Sequence, residues 1–342
     1  MYVAPRPHVD DDPFFAVRLA LAAPIGFLVA ILLQSPMPML FPALFVGLMA
    51  GMRKAFDIKR AVGGPIAMMA MMTLTSVLVT LTRPMPFVMI TLMGCLCVLA
   101  YYIILRTGNP IGMLIAIATV LMSIMGMQSL AMMDVLRDGF VQASLAALPV
   151  IPLLYALLPT RSQERFQEVY TPDEQGRYGT RAAIRGGTLL LLSFWLYSIL
   201  DPSNLMLAVA AVFALVFPTR EQQFAEAWER SYATLIGGGA ALLILGLFTM
   251  MAHLPILLAL VFLGGLFFAS KMMNGRHPPM VYQFAFSVMV AIVGGALTTQ
   301  QPVDATVLRI VLTLVGAVSA ALLSALLEAL LLPEQRQVTT LS

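Results

Sequence analysis

Charge is what this 342-residue chain has least of: Asp, Glu, Lys and Arg together make up 11% of it, against roughly 25% in soluble domains. Hydrophobic residues make up 60%. A water-surrounded globule is excluded, because so little polar surface cannot keep such a chain dissolved, and the chain must live in lipid. Lysine is confined to Lys54, Lys59 and Lys271, none of which follows a glycine. The Gly-x-x-x-x-Gly-Lys-[Ser/Thr] phosphate loop is therefore missing, and ATP hydrolysis with it. His8, His253 and His277 are far apart and form no His-Glu-x-x-His or comparable metal spacing. No serine is tied by pattern to a histidine and an acid. The expectation is no enzyme, no catalytic residue, no metal and no cofactor. Cys95 and Cys97 stand two residues apart, pointing to nearly opposite sides of a helix, so both read as small hydrophobes and not as a disulfide or metal pair.

What the chain has instead is long apolar runs. A spanning helix needs about 20 apolar residues, and twelve candidate spans can be placed, at roughly 14–33, 36–52, 61–82, 86–105, 110–127, 139–158, 183–200, 204–218, 231–252, 254–270, 280–298 and 305–332. The fold class expected is an all-α polytopic membrane bundle. Asp10-Asp11-Asp12 precedes the first run and no small-residue cleavage site follows it, so that run reads as a retained helix and not a secretory signal. With twelve spans, all of the 20 Lys and Arg except Arg83, Arg137 and Arg309 fall on the side of both termini. The positive-inside rule makes that side cytoplasmic. The net charge of +3 then reports topology, and no basic, aromatic-interleaved face suggests nucleic acid.

The arginines also recur. Arg18 matches Arg185, Arg60 matches Arg230, Arg106 matches Arg276 and Arg137 matches Arg309, at separations of 167, 170, 170 and 172. Phe45 and Phe213 match at 168, and Pro159 and Pro333 close the two series at 174. Arg60-x-x-Gly63-Gly64-x-x-Ala67 is answered by Arg230-x-x-Ala233-Thr234-x-x-Gly237. An ordered series of this kind implies duplication. The organisation expected is a cytoplasmic N-terminal segment 1–13, a six-helix repeat 14–159, a linker 160–182, a second repeat 183–333 and a cytoplasmic tail 334–342. Six spans return the chain to its starting side, so the repeats are expected to be parallel, related by a pseudo-two-fold along the membrane normal.

Spans 2 and 8 are short or interrupted. The first carries Pro36, Pro38, Pro42, Gly47 and Gly51, and the second has 204–218 before Pro218. Short segments at matching repeat positions point to a transporter's binding site, with a tilted helix or a thinned bilayer as the plainer reading. Pro42, Phe45 and Phe213 are thus expected along the substrate path. Arg18, Arg185, Arg137 and Arg309 are expected to ring it with positive charge suited to anions, or else to snorkel to the headgroups. Glu328, inside Leu326-Leu327-Glu328-Ala329-Leu330, is a proton-carrier candidate if enclosed. The abundant methionines read chiefly as gap fillers. Thr73, Ser76 and Thr80 form a polar stripe suited to hydrogen bonds between helices.

At Glu229-Arg230-x-x-Ala-Thr-x-x-Gly-Gly, and at Arg309 with Gly316, mirrored by Arg137 with Ser144, the chain resembles the fusaric acid resistance and aromatic acid exporter superfamily. The resemblance spans both six-helix units. It implies a bacterial inner-membrane efflux component for small aromatic or anionic solutes, driven by the proton gradient, working with a periplasmic membrane-fusion adaptor and an outer-membrane channel. The large cytoplasmic domains of typical exporters are missing, so the chain looks like a short membrane-only branch. A passive anion channel and a non-transporting scaffold for an envelope complex are the alternatives.

Overall fold

The computed structural model describes Asp12, residues 14–161, 178–199 and 220–296, and single helical positions between 307 and 327; side chains are described outside 195–199 and 220–227. Among the described residues the chain forms ten helices: α1 (Phe15–Leu32), α2 (Leu40–Ala50), α3 (Ile58–Thr82), α4 (Pro86–Thr107), α5 (Pro110–Gln128), α6 (Leu130–Leu157), α7 (Tyr178–Ile199), α8 (Arg220–Met250), α9 (Leu254–Asn274) and α10 (Pro279–Ala296). Eight helical stretches are long and apolar enough to cross a membrane. Leu81, Phe87, Leu157 and Met250 stand on the outer surface, which suits lipid and not water. The protein is a multi-pass helical membrane protein. The expected spans at 204–218 and most of 305–332 lie outside the described residues, as does the linker from 162 to 177.

The helix limits follow local chemistry. Asp57 caps α3, its carboxylate accepting from the Lys59 amide at 3.0 Å, and Asn109 does the same for α5 through the Ile111 amide at 3.0 Å. Prolines open α4, α5, α9 and α10 at the first or second position, where a missing N–H costs nothing. Span 2 is shorter than 36–52: α2 has 11 residues, about 16 Å of helix. Pro36 and Pro38 keep the preceding segment out of the helix, and Gln34 turns it with φ 50. Other helices run longer than expected. α6 starts at Leu130, not 139, so Arg137 sits inside its second turn rather than at its mouth. α8 starts at Arg220, not 231, because the polar residues ahead of the apolar run are themselves good helix formers. The stripe on α3 serves its own helix: Ser76 donates to the Thr73 carbonyl and Thr80 to the Ser76 carbonyl, each at 2.9 Å. Back-bonding of this kind satisfies the hydroxyls without a neighbour.

Packing relates the two halves in a reciprocal way. α1 of the first half packs on α9 of the second, and α7 of the second half packs on α4 of the first. The burial patterns also coincide. α4 buries Met89, Met93, Cys97, Ala100, Tyr101 and Ile104, and α9 buries Leu257, Val261, Gly265, Phe268, Ala269 and Met272, a shift of 168. α5 and α10 coincide at 169, through Gly112 with Val281, Ala116 with Ala285 and Val120 with Met289. α3 and α8 coincide at 169 as well, through Pro65 with Thr234, Met68 with Gly237 and Met72 with Ala241. That register sets Arg230 opposite Ala61, one residue away from the Arg60 match that the arginine pattern gives.

Candidate substrate-handling site

Two arginines are among the largest fully buried side chains, Arg18 on α1 and Arg185 on α7. Enclosing a guanidinium in a membrane bundle is costly unless partners surround it. Arg18 has such partners. Its guanidinium pairs with the Asp12 carboxylate, donates from Nη1 to the Leu158 carbonyl at 2.7 Å, and lies 4.5 Å from the centre of the Tyr155 ring. The Tyr155 hydroxyl in turn donates to the Met52 carbonyl at 2.8 Å, and its ring meets Phe56 at 4.9 Å. The entry to α1, the end of α6 and the α2–α3 turn are thereby tied together. Asp12 is 1% exposed, so it is not part of a solvated acidic run. Neither arginine snorkels. Arg18 is a buried, partnered charge.

Arg185 stands where α7 meets α4. Gly186 brings α7 close to α4: a Cβ there would lie 2.8 Å from the Val98 amide nitrogen and 2.9 Å from its Cα. Arg185 and Arg230 both reach Tyr101 of α4 electrostatically. The Tyr101 hydroxyl is buried and makes no hydrogen bond among the described residues. Arg230 also stacks over Phe284 of α10, 4.5 Å from its ring centre. Further along the same junction, Cys97, Thr119, Ser123 and Ser193 line an enclosed cavity between α4, α5 and α7.

Part of this second half is similar to a known family. Residues 191–323 match the family described as fusaric acid resistance protein-like. The matched stretch is less than half of the chain. No curated protein and no solved structure matches the chain. The matched stretch contains Arg230, Thr234 and Gly237, the residues on which the resemblance rests in this half.

The other expected site residues separate. Phe45 and Pro42 are buried on α2, but they are packed and not set along a free wall. Phe41 meets Phe45 at 6.4 Å edge-on, and a Cβ on Gly26 of α1 would lie 2.6 Å from the Pro42 Cα. Arg137 is partly exposed and paired at 2.8 Å with both Asp134 and Asp138 on its own helix. Arg60 is 45% exposed and donates to the Gly51 carbonyl at 2.8 Å, so it closes the α2 end. The small residues of the motif also differ. Gly63 faces open space, Gly64 faces the Leu48 side chain, and Gly237 lies against the Ala285 backbone of α10. Thr234 donates to the Arg230 carbonyl at 2.8 Å. Phe213, Arg309 and Glu328 lie outside the described residues.

The residues that sequence reasoning passed over are Asp12, Tyr155, Tyr101 and the hydroxyl cluster around Thr119. Asp12 stands six residues before Arg18, too far for a helical pair. Thr119 and Ser123 stand four residues apart on one face of α5, but Ser193 joins them only through the packing of α7, which no local spacing shows. For Tyr101 a signal existed: it shares a helical face with Cys97 and Ile104, which marks it as interior.

Proposed function

We propose that this protein is an efflux transporter of the bacterial inner membrane that exports small aromatic or anionic solutes and is not an enzyme. The observation that carries the reading is the pair of fully enclosed arginines, Arg18 and Arg185, near the starts of the first helices of the two halves. Charged groups retained inside a membrane bundle usually serve a solute or ion path. The family match and the multi-pass helical architecture support the same reading. The shared burial registers and the reciprocal packing of α1 on α9 and α7 on α4 favour two parallel six-helix repeats around a pseudo-two-fold axis, with both termini in the cytoplasm. Two such repeats make twelve spans. The proton gradient is the proposed driving force, and a periplasmic adaptor with an outer-membrane channel would carry the solute onward.

Purified protein in liposomes tests this. Benzoate should accumulate against its gradient when a proton gradient is imposed, and collapse of the gradient should stop it. Replacing Arg185 by Gln should slow benzoate more than the neutral benzamide of similar shape. Downhill flux alone would make the protein a passive channel. No flux of any aromatic acid, with or without an adaptor, would leave the scaffold reading.

A further inference from the structure

Most of the interior is packed apolar side chains, but the junction of α4, α5 and α7 is not. Its enclosed cavity has a volume of ≈ 10 Å³, with Cys97, Thr119, Ser123 and Ser193 on its walls, about the room one water molecule needs. Ser123 and Ser193 donate to the Val120 and Leu189 carbonyls of their own helices. The Thr119 hydroxyl, like that of Tyr101 one turn beyond Cys97, is buried without a hydrogen bond among the described residues. Two unsatisfied hydroxyls at one junction are unusual, since a buried polar group left dry is costly.

A second feature adjoins this cavity. On the outer side of α4 and α7 runs a groove of ≈ 550 Å³, lined by Ile90, Gly94, Cys95, Val98, Tyr102 and Leu190 among others. That volume is in the range of small-molecule sites. Leu190 lines both spaces, and its Cδ2 lies 3.3 Å from where a Cβ on Gly94 would be. One leucine side chain therefore borders both an open apolar groove and a cavity lined by hydroxyls. Gly94 is what gives that side chain its place.

The corresponding junction of the other half is built differently. At the shift of 169 that aligns the burial of α5 with α10, Thr119 and Ser123 correspond to Val288 and Ile292. Near α9 the space is filled: a Cβ on Gly264 would meet the Met289 sulfur at 2.8 Å. The hydroxyls of Thr119 and Ser123 thus have no counterpart at the matching positions of α10.

We propose that this junction is a lateral entry site, at which an aromatic carboxylic acid partitioned into the bilayer lodges its ring in the Gly94 groove and, as Leu190 swings aside and widens the one-water cavity, presents its head group to the Thr119 and Tyr101 hydroxyls. The assignment rests on the transport reading and adds where the solute enters and which groups receive it. The groove supplies apolar contact for the ring. The two hydroxyls supply hydrogen bonds for the head group.

The full-length protein in liposomes tests the proposal in two ways. A diazirine-bearing benzoic acid should label peptides containing Gly94 or Leu190, and excess benzoate should suppress that labelling. Labelling elsewhere would overturn the site. So would labelling of the groove by a photoactivatable phospholipid that benzoate does not displace, since the groove would then be a lipid seat only. For flux, Thr119→Val and Tyr101→Phe should each slow benzoate about ten-fold, equivalent to one hydrogen bond to a charged or polar head. Leu190→Trp should block entry and Leu190→Ala should speed it, whereas Val288→Thr at the corresponding junction should leave flux unchanged. Wild-type rates in all four variants at the α4–α5–α7 junction would refute the entry site. If the unmodified protein moves no benzoate, the transport reading fails for aromatic acids, while the labelling still decides the site.

Discussion

The guanidinium carbon of Arg18 sits 4.5 Å from the centre of the Tyr155 ring, joining the first helix of the chain to the sixth across 137 residues of sequence (155 − 18). This cation–ring contact is one of three partners that Arg18 holds; the others are the Asp12 carboxylate and the Leu158 carbonyl. Because Asp12 precedes α1, the chain is tied to the bundle from just before its first helix.

Removing the acid of this cluster should therefore be more damaging than removing both charges. Asp12→Asn leaves the Arg18 charge buried with only neutral partners, and breaking a buried pair in this way costs roughly 3–5 kcal/mol. Asp12→Asn with Arg18→Met removes both charges and should recover part of the loss. Thermal unfolding of the detergent-solubilised protein measures each variant, and a full double-mutant cycle separates the coupling from single effects. If the double variant is no more stable than Asp12→Asn alone, the pair is not what holds the cluster.

Phe45 provides a different test. The sequence places it on the substrate path, and α2 is indeed short, but Phe45 is fully enclosed against Phe41 in the core. Phe45→Ala should destabilise the protein by about 3–5 kcal/mol. Any loss of transport should then follow the loss of folded protein. Transport per folded molecule is the deciding quantity, measured against size-exclusion yield. A drop in rate per folded molecule at unchanged stability would return Phe45 to the path.

The same contrast shows what sequence could and could not convey. The apolar runs are legible because lipid demands long uninterrupted stretches, and α1, α3, α4, α5, α9 and α10 stand close to where those runs lie. Polar helix extensions are less legible: α6 and α8 start early because residues such as Asp134 and Glu229 can be helical without being apolar. Arg18 and Arg185 are recognisable as recurring charges, whereas their burial depends on which helices cover them. Tyr155 and Asp12 come to Arg18 only through tertiary packing. The Thr119 cavity needs three helices in register, and no local spacing encodes that.

The glycines of the arginine motif make the last prediction, because the sequence treats them alike and the structure does not. Gly63 on α3 has nothing within 4 Å of an added Cβ. Gly63→Ala should be neutral or stabilising by up to about 1 kcal/mol, the helix-propensity difference. An added Cβ at Gly64 would meet only the Leu48 side-chain terminus, at 2.7 Å, which can rotate away, so a small loss is expected. Gly237 on α8 faces the Ala285 backbone, with its carbonyl carbon and Cα both at 3.0 Å and its oxygen closer still. Backbone cannot move aside as a side chain does, so Gly237→Ala must push α8 and α10 apart. Overpacking of that kind costs roughly 1–3 kcal/mol. Melting temperatures should therefore fall in the order Gly63→Ala, Gly64→Ala, Gly237→Ala. Equal effects at all three positions would mean that α8 does not approach α10 as closely as Gly237 permits.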